Sequence, residues 1–261
     1  MDPRLLHIYG PLYVNSYGLA IAIGVIVFVI LCQNNKQLSK LVTADQFNSL
    51  FTIGVFSALA GGRIWFAITE SSSIDSWLDL LKPWMGGFSV LGSVVGILAV
   101  IPLFLRTYKI PILPFLDNIA LNTPLLQSIS RLGCFYAGCC YGMPTDAWFG
   151  VVYSHPASIA PLYIALHPTQ LYSSMLLAII WIGLHYTKNY LREGQLLMLY
   201  LISAGFERFV VDIFRNDRIF LTWASYISVN QLLASIFMCT GIIGFFILNK
   251  ASYESIYLYK K

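Results

Sequence analysis

Seven stretches of about 20 mainly apolar residues recur along this chain, near 14–32, 47–69, 86–105, 112–135, 168–186, 196–215 and 228–248. A bilayer hydrocarbon core of about 30 Å needs roughly that many residues per helix. Only 11% of the 261 residues are charged and 57% are hydrophobic, where a soluble domain is about one quarter charged. The expected fold is therefore all-α: an integral membrane protein of about seven transmembrane helices, in one polytopic domain over residues 1–261. The fourth run is the weakest, because Asp117, Asn118, Asn122 and Gln127 interrupt it. A re-entrant helix pair is the alternative there. The run from Tyr17 is too long for the apolar region of a cleavable signal peptide.

The connecting charges set the orientation. Lys36, Lys40, Arg106, Lys109, Lys188, Arg192, Lys250, Lys260 and Lys261 fall in one set of loops. The alternate set holds only Arg4, Lys82 and Arg218, beside Asp75, Asp79 and Asp146. Positive residues stay in the cytoplasm, so the N-terminus is expected outside and the C-terminus inside. The loops near 70–85 and 136–166 then become extracytoplasmic.

Four arginines fall in or at the ends of the apolar runs: Arg63, Arg131, Arg208 and Arg215. Such residues normally face a cavity or a partner. Snorkelling to the interface suits Arg215 and Arg63 better than Arg131 and Arg208. With this orientation the four arginines, His167, Gln170, Tyr17 and Asn15 all collect toward the outer half of the membrane. Arg208, Asp212 and Arg215, spaced i, i+4, i+7, share one helix face. Asp212 is expected to hold both guanidiniums as structural support, leaving donors suited to a phosphate. A purely structural ion-pair ladder is the alternative. His167 precedes Pro168, which is expected to open the fifth helix at its first position, placing His167 for proton transfer or anion contact.

Several segments together resemble the prolipoprotein diacylglyceryl transferases. PLYVNSYGLAIAIG (11–24), GGRIWF (61–66), GGFSVLGS (86–93), the signature-like stretch DNIALNTPLLQSISRLGCFYAGCCYGMPT (117–145), HPTQLY (167–172) and GFERFVVDIFR (205–215) occur in the family's order across nearly the whole chain. The resemblance implies transfer of a diacylglyceryl group from phosphatidylglycerol to the lipobox cysteine of a prolipoprotein, at the outer side of the bacterial cytoplasmic membrane. It implies prolipoprotein signal peptides and membrane lipids as partners, no nucleic acid, and no cofactor or metal. By the same carry-over Arg131, Arg208 and His167 are the catalytic candidates. Arg131, Arg215, Arg63, Tyr17 and Gln170 are the lipid- and phosphate-binding ones. A homologue that binds phosphatidylglycerol but uses another acceptor, or is not catalytic, is the alternative.

The chain departs from the family pattern at four places. Leu91 stands where a histidine is usual, Cys134 where the signature has asparagine, Ala137 where a second asparagine is common, and Cys139 where it has glutamate. For Cys134, Cys139 and Cys140 the spacing is unusual for zinc, with only His155 and His167 near as further ligands. A disulfide of Cys134 with one of the other two, or Cys134 as a stored nucleophile, are further options. The reading adopted is that small, apolar cysteines fill the family's polar positions.

Overall fold

The computed structural model describes residues 4–9, 12–69, 89–221 and 224–258. The expected outer loop near 70–85 and the start of the third apolar run lie outside the described residues, as does the side chain of Leu91. In chain order the elements are a hairpin of β1 (Arg4–Tyr9) and β2 (Leu12–Asn15), α1 (Ser16–Gln33), the one-turn α2 (Leu38–Leu41), α3 (Ala44–Thr69), α4 (Val90–Thr107) and α5 (Ile112–Ala137). There follow the paired strands β3 (Val151–Val152) and β4 (Ala165–Leu166), α6 (Thr169–Thr187) and α7 (Gln195–Ile213). The chain then forms β5 (Phe220–Leu221), antiparallel to β6 (Ala224–Ser228), and ends in α8 (Val229–Leu258).

A long helix occupies each of the seven apolar runs. By length and composition α1, α3 and the Val229–Asn249 part of α8 can each cross a bilayer, and Gly92–Thr107 forms a shorter apolar helix. Helices α5, α6 and α7 are more polar, and their polar residues are turned inward. Asn118, Asn122 and Ser128 of α5, Thr169, Gln170, Ser173 and Ser174 of α6, and Glu207 and Asp212 of α7 are all buried. The fourth run is one continuous helix of 26 residues, not a re-entrant pair. At 1.5 Å per residue it is about 39 Å long.

The helix starts follow local rules. Thr43 and Gln46 form a reciprocal capping box, each backbone N–H bonded to the other's side chain, ahead of α3. Ser228 and Gln231 repeat that box ahead of α8. Helix α7 follows Gly194, which has no side chain to cap with. Asp117 of α5 supplies the cap instead, accepting from the backbone N–H groups of Gly194 at 2.5 Å and Leu197 at 2.7 Å. A carboxylate there also meets the positive end of the helix dipole. Helix α6 begins at Thr169 with Pro168 as its N-cap residue, one position later than the sequence predicts.

Two compact units make up the chain: residues 33–115, and residues 1–32 with 116–261. In the first, α3 packs on α4 with backbones touching. A Cβ on Gly61 would stand 2.3 Å from the Gly92 carbonyl, and one on Gly92 would stand 2.3 Å from the Gly61 carbonyl. Small residues permit such approach between apolar helices. In the second unit, hydrogen bonds tie α5 to α6 and α6 to α7. Ser128 Oγ donates to the Ser174 carbonyl at 2.8 Å, and Ser174 Oγ donates back to the Ser128 carbonyl at 3.0 Å. Ser173 Oγ donates to Glu207 Oε1. Gly133 of α5 lies against α1, where a Cβ would come 2.7 Å from the Ala20 Cβ.

Candidate functional site

The second unit gathers most of the residues singled out in the sequence. The guanidiniums of Arg131 on α5, Arg208 on α7 and Arg215 just past α7 lie within electrostatic reach of one another and of Glu207. They differ in what holds them. Arg215 is buried, and its Nε and Nη2 donate to the two carboxylate oxygens of Asp217 at 2.8 Å and 2.5 Å. That bond holds the Asp217 carboxyl below the usual carboxylate range. Arg131 and Arg208 are half-buried, and neither makes a hydrogen bond or ion pair among the described residues.

Asp212 does not bridge Arg208 and Arg215 as their spacing predicts. It is fully buried, accepts a hydrogen bond from Ser228 Oγ at the start of α8, and faces Arg218 Nε at 3.4 Å. Its other oxygen, Oδ1, has no hydrogen-bond partner. Helical spacing puts Asp212 on the right face, but Arg218, between α7 and β5, and Ser228, at the end of β6, are nearer partners. Arg208 is thereby left uncommitted. Arg131, Arg208, Arg215 and Arg218 stand among Glu207, Asp212 and Asp217, four guanidiniums to three carboxyl groups.

The segment after α5 frames the arginines. Gly142 threads between two strand-like stretches: its N–H bonds the His167 carbonyl at 3.1 Å, and the Met143 N–H bonds the Phe214 carbonyl at 2.8 Å. A Cβ on Gly142 would stand 2.6 Å from the His167 carbonyl and 2.8 Å from that of Phe214, so only glycine fits. Thr169 Oγ1 donates to the Cys140 carbonyl, and Gln170 Nε2 to the Cys139 carbonyl, both at 2.7 Å. Gln170 is 1% exposed, so its amide anchors this segment from within. Tyr153, pushed up to about 12 chiefly by burial, stays protonated. It donates to the Phe135 carbonyl at 3.1 Å and lies 3.4 Å from Gln170 Nε2.

Two cavities open beside these residues. One, of about 660 Å³, is lined by residues that include Tyr17, Asn15, Ala137, Cys139 and Ile159. Tyr17 lies within electrostatic reach of Arg131. The other, of about 410 Å³, is almost wholly apolar, between Phe149, His167, Tyr172, Leu176, Val210 and Phe214. His167 sits in this aromatic box with Nδ1 3.1 Å from the Tyr172 hydroxyl. Arg63 lies on α3 of the other unit, half-buried.

Glu207 and Ser173 join α6 to α7 through a carboxylate hydrogen bond, and neither was singled out in the sequence. An acidic residue inside an apolar run was the available signal for Glu207. Ser173 carries no such signal, since serine is common in helices that pack in membranes.

The profile of the prolipoprotein diacylglyceryl transferase family matches residues 3–247. A phosphatidylglycerol–prolipoprotein diacylglyceryl transferase of Clostridium tetani is 31% identical over 250 residues, covering 95% of this chain and 97% of that protein. One from a Wolbachia symbiont of Brugia malayi is 29% identical, covering 93% of each chain. A second such enzyme of Clostridium perfringens is 30% identical over 93% of each.

Proposed function

Because the chain belongs to the prolipoprotein diacylglyceryl transferase family, we propose that it transfers a diacylglyceryl group from phosphatidylglycerol to the lipobox cysteine of prolipoproteins. The lipobox sulfur attacks the glyceryl carbon that bears the phosphate. A C–S bond forms, the C–O bond breaks, and glycerol phosphate leaves with the electron pair. The product is a thioether.

The reading rests on Arg131 and Arg208, half-buried and uncommitted among the described residues, in a region with more guanidiniums than carboxyl groups. A guanidinium binds phosphate through parallel N–H donors. As the C–O bond breaks, the phosphate passes from one negative charge toward two. Fixed guanidiniums in a poorly hydrated site stabilise that change. Arg215, tethered by Asp217, adds field without moving. Tyr17 lines the larger cavity, where the head group has room, and the smaller apolar cavity suits an acyl chain or an apolar signal-peptide residue. A thiol ionises near pH 8.5 and needs only modest help. His167, with Nδ1 3.1 Å from the Tyr172 hydroxyl, is the candidate proton acceptor. Gln170 supports the loop that carries these groups, and Arg63 takes part in lipid binding.

The chain works as one polytopic domain in the bacterial cytoplasmic membrane. Seven helices cross, with the N-terminus and the arginine cluster outside and the C-terminus in the cytoplasm. The lysine and arginine distribution supports this orientation. The test is complementation of a strain depleted of its own transferase. The wild-type gene is expected to restore growth and prolipoprotein processing. Failure of a well-expressed, membrane-inserted protein to do so contradicts the reading.

A further inference from the structure

Helix α5 ends in a form that its sequence dictates. Gly138 takes φ +75°. Its N–H bonds the Phe135 carbonyl at 3.4 Å, and the Cys139 N–H bonds the Cys134 carbonyl at 3.1 Å. This pair of bonds is the Schellman termination, which sets the side chain after the glycine against the one five residues before it. Here those two side chains are Cys139 and Cys134. Cys140 then adopts φ +56°, a region uncommon for residues other than glycine. The three sulfurs end within 4.8 Å of one another, and all three are free thiols.

Apolar packing accounts for the first two sulfurs, since a contact between these positions is usual in this termination. It does not account for the third. The Cys140 sulfur instead turns toward its two fellow sulfurs, within electrostatic reach of Arg215 and Arg131. Cys139 lines the 660 Å³ cavity, which gives an ion a way in.

We propose that Cys134, Cys139 and Cys140 form a three-thiolate site for a thiophilic d¹⁰ metal ion. Metal–sulfur bonds of about 2.3 Å place three coplanar sulfurs roughly 4 Å apart, so the observed cluster closes with small side-chain rotations. Soft thiolates select Cu(I) and Zn(II) over hard cations. Binding exchanges three thiol protons for the metal, with no change in oxidation state.

The full-length protein, purified in detergent and kept reduced with a phosphine, is titrated with Cd²⁺. A sulfur-to-cadmium charge-transfer absorption is expected to rise to one equivalent and stop. The Cys134→Ser/Cys139→Ser/Cys140→Ser triple variant is expected to lose the band, and Cys239→Ser to keep it. A second readout uses the wild type alone, so a misfolded variant cannot decide the outcome: alkylation followed by mass spectrometry, without metal and with one equivalent of Cd²⁺ or Cu(I). Labelling of the three cysteines is expected to fall at least tenfold, with Cys239, which is exposed, labelled as before. No band together with unchanged labelling overturns the site, and so does a band of full stoichiometry in the triple variant.

Discussion

Replacing Arg208 with glutamine is expected to leave the protein at least as stable while sharply reducing its activity. The guanidinium is half-buried and has given up hydration without gaining a hydrogen-bond partner. Repulsion from Arg215 and Arg131 adds to that cost, and attraction from Asp212 and Glu207 offsets part of it. At an effective dielectric constant of about 20, each such unit-charge term is about 1–2 kcal/mol at separations of roughly 8–15 Å. The terms nearly cancel, and what remains is the lost hydration. Arg208→Gln is therefore expected to change unfolding free energy by about 0 to +1 kcal/mol. Its catalytic cost is one charge-assisted hydrogen bond to phosphate, about 1.5–3 kcal/mol. That corresponds to roughly a ten- to 150-fold loss in kcat/KM. Arg208→Lys keeps the charge but not the planar fork, and is expected to fall between the two. Thermal unfolding in detergent gives the first quantity, and transfer from labelled phosphatidylglycerol the second. A destabilisation above about 2 kcal/mol with activity retained would refute the reasoning and make Arg208 part of a structural ladder.

Arg218→Gln is expected to destabilise by about 3–5 kcal/mol, because it strands a buried carboxylate; Asp212 is 0% exposed. Adding Asp212→Asn should recover part of the loss in a double-mutant cycle by denaturation. The Asp217 carboxyl has its folded pKa held down by Arg215, so its contribution to stability is present above about pH 4. That contribution is lost as pH falls through the lower folded value; in melting curves, Asp217→Asn should flatten this acid limb. For topology, Tyr163→Cys and Tyr190→Cys place thiols at exposed loop positions, 74% and 88% exposed in the parent. An impermeant maleimide on intact spheroplasts should label the first, and reach the second only after permeabilisation.

Much of this was legible in the sequence because it depends on local rules. Bilayer thickness fixes helix length, so the seven runs could be read directly. T-A-D-Q and S-V-N-Q announce the capping boxes at Thr43 and Ser228. The convergence of Arg131, Arg208 and Arg215 followed from where each sits along its run. Partner choice was not legible. The face of Asp212 was correct, but Ser228 and Arg218 come from chain beyond α7, and helical periodicity carries no information about which neighbour arrives. How near the three cysteine sulfurs come to one another was not legible either, for a smaller reason. The fourth run was expected to end near 135, whereas α5 ends at Ala137. Those two residues put Gly138 at the helix stop and set Cys139 against Cys134. Linear spacing alone, without the reversed turn, does not suggest a cluster.

On the proposed mechanism, uncommitted guanidiniums hold a lipid phosphate while a thiol displaces it. The most direct measurement is mass spectrometry of a lipobox peptide incubated with the purified protein in phosphatidylglycerol-containing lipid. The wild type is expected to add one diacylglyceryl group to the cysteine as a thioether, and Arg131→Gln to abolish that product while still folding. No product from the wild type at several pH values, or an undiminished product from Arg131→Gln, contradicts the account.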